Sequence, residues 1–266
     1  MDRASLISKI GTLANAIGSM APVFDTPENV LKSKDADFLY EVLCYFFMIS
    51  KLRSGTVITY VKGQLGHALP GRHGSKWKHS HFEVAVPSGE RLHLCMATYI
   101  LDAYDAKRAP DISLQQATSD TTPRYENIIA IWDAKHRKAR EEDRVTRGDF
   151  EKFRGDVEVL RIPPPSAGDL TERVCSPEFS VSALITNGLP PGEPAARFLD
   201  LGFSCVAKFT GEAGPVPNPP RTQHYTRSTA KRTSPSAQPP AMAASPSAIA
   251  LFASVAPDGQ HPQGET

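Results

Sequence analysis

No two cysteines in this chain are close enough in sequence to form a C-x-x-C pair. Cys44, Cys95, Cys175 and Cys205 are scattered, which argues against a zinc ribbon, a redox dithiol and a secreted disulfide framework. Cys44, Cys95 and Cys205 sit in apolar runs and read as buried thiols. An apolar stretch approaching the roughly 20 residues of a membrane span is also missing. Asp2, Arg3 and Lys9 interrupt the N-terminal residues where a signal peptide would need an apolar core. A cytoplasmic protein with no membrane partner is expected. There is no excess of one charge either: 30 Lys+Arg against 29 Asp+Glu leave a formal net charge of +1, so a polyanion would have to be met by a local patch. Gly63-x-x-Gly66 is followed by no Gly-Lys-Ser/Thr, which argues against nucleotide hydrolysis through a phosphate loop. His73, His79, His81 and His93 come without an H-x-x-x-H helix or paired cysteines, so they do not spell a zinc site.

What is present is an ordinary core. The chain has 266 residues and 40% hydrophobic residues, enough for one large domain or two small ones. Phe38, Leu39, Val42, Leu43, Tyr45, Phe46, Ile49 and Leu52 recur at helical spacing, with Ser33 or Asp35 available as a cap and Glu41 on the same helix. Alternation predicts strands over 56–61, 81–86 and 91–96, the last two joined by Pro87-Ser88-Gly89-Glu90 as a tight turn. Short apolar runs predict further strands over 112–114, 128–132, 182–188 and 203–209. Helical patterns cover 148–160 and, briefly, 193–199. From residue 211 the composition turns to Pro, Ser, Ala, Thr and Gln, which cannot bury enough apolar surface to offset its ordering entropy, so 211–266 reads as a disordered tail. The expected organisation is a helical lead-in over 1–34, a single α/β domain over 35–210 with a central mixed sheet flanked by helices, and that tail.

The most informative feature is Pro110-Asp111, followed across one loop by Asn127-Ile128-Ile129-Ala130-Ile131-Trp132 and then Asp133-Ala134-Lys135. A run this apolar reads as a strand buried on both faces, so the carboxylate and ammonium at its end emerge from the sheet at a defined position. A surface Asp and Lys where a strand meets its loop is the alternative. Asp102, Asp105 and Asp120 are nearby acids able to replace or supplement Asp111. A flexible segment rich in Gly, His and Lys between two strands offers Arg72, Lys76 and Lys78 for phosphate contacts, and His136, Arg137 and Lys138 follow Lys135 directly.

The order helix, strands, Asp, strand ending in Asp-x-Lys, helix, strand resembles the restriction-endonuclease-like superfamily, the PD-(D/E)xK nucleases. Pro110-Asp111 and Asp133-Ala134-Lys135 match its motif, and Glu41 matches the acid that many members carry on their first core helix. The resemblance covers roughly residues 35 to 209 and implies a restriction-endonuclease-like core. It implies a Mg²⁺-dependent endonuclease acting on DNA, with Mn²⁺ as a possible substitute. Asp111, Asp133 and the Ala134 backbone carbonyl would be metal ligands, Glu41 a further acid at the metal, and Lys135 the group beside the attacking water. That assignment agrees with the chemistry, since phosphodiester hydrolysis needs charge neutralisation at phosphorus and an activated water, and Mg²⁺ takes oxygen ligands. Restriction or anti-phage defence is the expected setting, as a stand-alone enzyme, a homodimer or a subunit of a defence system. Repair or junction resolution, RNA as substrate, and a catalytically idle nucleic-acid-binding module are the rivals.

Overall fold

The most apolar helix sets the frame. In the computed structural model, which describes residues 1–20, 28–52, 56–64, 69, 73–137, 143–164, 169–192 and 201–212, α3 spans Ala36–Ser50. Asp35 caps it, its carboxylate accepting the backbone N–H groups of Asp37 and Phe38 at 2.9 and 3.4 Å. Its residues from Phe38 to Ile49 are buried apart from Glu41, more than a one-sided amphipathic pattern would give. The reason is α1 (Arg3–Met20), whose Leu6, Ile10, Ala14 and Ile17 recur at helical spacing and enter the same core. α1 and Val30 of the short α2 (Glu28–Lys32) therefore share a core with α3 and the sheet beneath it.

That sheet has seven strands. In spatial order they are β1 (Val57–Val61), β2 (His81–Ala85), β3 (Arg91–Met96), β6 (Ile112–Gln116), β7 (Ile128–Lys135), β8 (Ala183–Thr186) and β9 (Ser204–Val206). Neighbours from β1 to β7 pair antiparallel, whereas β7, β8 and β9 run parallel, so the sheet is mixed. The β2–β3 turn closes with Val86 N–H donating to Glu90 O at 2.9 Å, and Gly89 adopts φ +98°, the left-handed region that favours glycine. A small hairpin of β4 (Ile100–Leu101) and β5 (Lys107–Arg108), which the sequence pattern did not signal, precedes β6.

Period-two alternation along β7 and β8 sorts their side chains between two cores. Ala130, Trp132, Ala134, Ala183 and Ile185 join the α1 and α3 side. Ile131 and Leu184 join Phe150, Phe153, Val157 and Leu160, carried by or just after α4 (Arg147–Val159) on the opposite face. Thr146 caps α4 in a reciprocal box with Asp149. The short α5 (Leu170–Val174) leads into β8. No described helix is long and apolar enough to cross a membrane. The helix expected over 193–199 and the tail beyond Glu212 lie outside the described residues, as do Arg72 and Lys138.

Candidate active site

β7 carries its alternation to the end of the strand. Trp132 and Ala134 belong to the α3 face, and Asp133 and Lys135, of the opposite parity, turn toward α4. The β6–β7 register ends at Ile112 opposite Trp132, so one further step sets Asp111 opposite Asp133. Asp111 is fixed at both ends: its Oδ2 accepts the Ala134 N–H at 2.8 Å, and its carbonyl accepts the Ala97 N–H at 2.8 Å. Lys135 Nζ bridges the pair, 2.5 Å from Asp133 Oδ2 and 3.8 Å from Asp111 Oδ2. Asp111 and Asp133 are 7% and 2% exposed, a depth at which carboxylates need partners. Asp102 and Asp105, two of the three alternative acids, are engaged elsewhere. Asp102 pairs with Arg108 at 2.7 Å and accepts the N–H groups of Tyr104 and Ala106; Asp105 pairs with Arg124 at 2.7 Å.

The electrostatics tie Glu41 to this group. Burial raises the Glu41 pKa, and the Asp133 charge adds to it against the relief given by Lys135, bringing it to about 7. Burial likewise raises Asp111 well above the carboxylate range, helped by Asp133 and Glu41. Asp133 is also penalised by burial, but Lys135, a hydrogen bond from Asp111 and the charge of Lys152 outweigh that, and its pKa is lowered. The two shifts run apart, Asp111 toward the neutral acid and Asp133 toward the carboxylate that accepts its hydrogen bond, as expected where like charges share a buried site. Burial works against the Lys135 ammonium, yet Asp133 and Asp111 hold its pKa above the usual lysine value. Asp133 Oδ2, although beside that ammonium, makes no well-directed hydrogen bond among the described residues.

A crowd of carboxylates this poorly compensated fits a divalent cation by its donor chemistry, all oxygen and formally anionic. Among the described residues no three His, Cys, Asp or Glu side chains already stand in ligating positions; the space between Asp111 and Asp133 is bridged by Lys135.

Glu41 gives a pH signature. Its folded pKa of about 7 exceeds its ordinary 4.5, so it contributes stability that is fully present below pH 4.5 and lost as pH rises through 7. His81 acts oppositely, because burial lowers its pKa from 6.5 to about 4 and the folded state then gains as pH rises across that interval. The two nearly cancel in a simple melt. Comparing wild type with Glu41→Gln cancels the His81 contribution: without divalent ions, the variant should gain up to about 3 kcal/mol relative to wild type between pH 4.5 and 7.5. Denaturant melts across that range provide the check, and a pH-independent difference would contradict the assignment.

The basic residues sort less favourably. Lys76 is withdrawn as a phosphate contact: it is 1% exposed, donates to Thr118 O at 2.6 Å and lies against the Trp77 ring. His136 is withdrawn as well, its ring packed on Tyr40 and hydrogen-bonded toward Asp37 and the Met1 carbonyl. Arg137 is half-buried and pairs with Asp149 at 2.6 Å, while its backbone exchanges hydrogen bonds with Asn187, so it anchors the start of α4 to the end of β8. Lys78 is exposed and makes no ion pair among the described residues.

Two residues that the sequence did not single out, or placed elsewhere, stand in the field of the acids. Lys152 of α4 interacts with Asp133 while pairing with Asp156 at 3.2 Å. His73 interacts with Lys152, Asp133 and Lys135. Lys152 flanks the apolar face of a helix crowded with charge, and nothing in its spacing distinguishes it from its neighbours. The chain matches no protein-family model and no curated protein.

Proposed function

We propose that this protein is a metal-dependent phosphodiesterase of the restriction-endonuclease-like type that cuts DNA, in a setting such as restriction or anti-phage defence. The observation that carries the reading is the Asp111, Asp133 and Lys135 cluster at the end of a buried strand, with Glu41 in its field. A structural ion pair would need one acid for one lysine. Here three acids share the field of one lysine, and two of them, Glu41 and Asp111, are pushed up in pKa by burial and by the neighbouring carboxylates despite it. Perturbed titratable groups of this kind concentrate at functional sites.

Asp111, Asp133, Glu41 and the Ala134 carbonyl are the oxygens that would hold a Mg²⁺ or Mn²⁺ ion. When bound, such an ion supplies charge neutralisation at the phosphate and a more acidic water. Lys135 arrives protonated, held so by Asp133 and Asp111. It therefore serves as a hydrogen-bond donor and positive charge toward a phosphate oxygen or the attacking water, and leaves proton removal to another acceptor. The Ala134 N–H to Asp111 hydrogen bond keeps the first acid oriented, so less reorganisation is left to the reaction itself.

The test is hydrolysis of end-labelled DNA by the full chain. Cleavage should appear with Mg²⁺, stop with a chelator and be absent in Asp133→Ala. A protein that binds DNA without cutting it under any divalent ion would instead be a binding module.

A further inference from the structure

A cavity of about 400 Å³ is lined by His73, Ser75, Lys78, His79, Tyr99 and Lys107 among others. Its floor is wired to Asp111 through the backbone. Ala97 N–H donates to Asp111 O at 2.8 Å, Gly74 N–H donates to Ala97 O at 3.0 Å, and Tyr99 N–H donates to Gly74 O at 2.8 Å. Gly74 lets the His79 ring approach closely, since a Cβ there would meet His79 Nε2 at 2.7 Å. One wall thus has a fixed position relative to the cluster. His73, on the rim, lies in the field of Asp133, Lys135 and Lys152.

The lining is chemically one-sided. Among the described residues it contains no carboxylate, and neither Lys78 nor Lys107, both exposed, pairs with one. Tyr99 offers a half-buried ring with Lys107 Nζ 5.5 Å from its centroid and the His73 ring at 6.4 Å. Lysines beside an aromatic platform form the combination that holds a phosphate and stacks a base. The volume falls within the range of small-molecule pockets. A concave site of this kind takes a base only when that base is out of the duplex stack, since paired bases are read by elements that protrude into a groove.

We propose that this cavity binds one unpaired nucleotide of the strand being cut, with its base on Tyr99 and its phosphate on Lys78 and Lys107, so that the preferred substrate is single-stranded or locally unpaired. The inference rests on the nuclease reading and narrows it. A strand end, flap or overhang can enter where an intact duplex cannot.

The experiment is fluorescence anisotropy of the full chain with a labelled single-stranded oligonucleotide and with a blunt duplex of equal length, in chelator so that no cutting occurs. The single strand should bind about tenfold tighter than the duplex. Lys78→Ala with Lys107→Ala, and Tyr99→Ala separately, should each weaken single-strand binding about tenfold or more while leaving duplex binding unchanged, and Tyr99→Phe should retain it. Because both lysines are exposed, their variant decides the matter if Tyr99→Ala does not fold. Equal binding of the two forms, or variants that move both or neither, would overturn the proposal while leaving Mg²⁺-dependent cleavage untouched. Selective loss in a protein that never cuts DNA would uphold the cavity and remove the nuclease reading.

Discussion

Lys135→Met should cost both activity and stability, and the stability loss should be recoverable. The Lys135 ammonium is the nearest counter-charge of a carboxylate that is 2% exposed and whose Oδ2 has no well-directed hydrogen bond among the described residues. Removing it leaves Asp133 with only a hydrogen bond from Asp111 and the charge of Lys152, and breaking a fully buried pair costs about 3–5 kcal/mol. Lys135 keeps some contact with solvent, so the lower end of that range, about 3 kcal/mol at pH 7, is expected in denaturant melts. Asp133→Asn in the Lys135→Met background removes the orphaned charge and should restore most of the loss, a non-additivity that marks a coupled pair. Cleavage should fall at least about a hundredfold in Lys135→Met, the scale of losing one preorganised donor at a developing charge. It should stay low in the double variant. Recovery of activity together with stability would contradict the role given to Lys135.

Asp111→Asn should separate the two properties in the opposite way. Burial and its acidic neighbours raise the Asp111 pKa well above its ordinary value and so favour the neutral acid, which an amide of the same shape replaces at little cost. The amide oxygen can still accept the Ala134 N–H that Asp111 Oδ2 accepts at 2.8 Å, and the amide N–H₂ can donate to Asp133. The stability should therefore stay within about 0.5 kcal/mol of wild type or rise, as is common when an active-site constellation is relaxed. Activity should fall on the order of a hundredfold or more, because an amide is a much poorer oxygen ligand for a hard cation than a carboxylate. A structural Asp111 would give the reverse, a destabilised protein with its activity intact.

The site was legible where its logic is local and illegible where the chain returns from far away. β7 announced itself as an apolar run with charge at its tip, and alternation alone placed Asp133 and Lys135 on one face. Asp111 stands out in the sequence only through the Pro110-Asp111 motif, and it is the register that sets it one step beyond the pairing of Ile112 with Trp132. By contrast, Lys76 sits in a segment of glycines, histidines and lysines that reads as a solvated basic loop. Only the return of the 117–124 segment reveals the Thr118 carbonyl and the buried position. His136 directly follows Lys135 in sequence, yet Tyr40 and the Met1 carbonyl enclose it from elements almost a hundred residues or more away. α3 presented one helical face because α1, which buries its other side, gives only a spaced set of small and medium apolar residues. The cavity was beyond sequence reading for the same reason: its walls come from the 73–79 segment, Tyr99, β5 and Thr122.

The central claim is that the buried acids form a divalent cation site. Titrating the wild-type protein with Mn²⁺ at pH 7.5, with bound ion followed by electron paramagnetic resonance, addresses it without requiring a substrate. Saturable binding is expected in the wild type and should be lost or greatly weakened in Asp133→Asn and Asp111→Asn, both of which should still unfold cooperatively. Binding that is absent in the wild type, or undiminished in both variants, would contradict it.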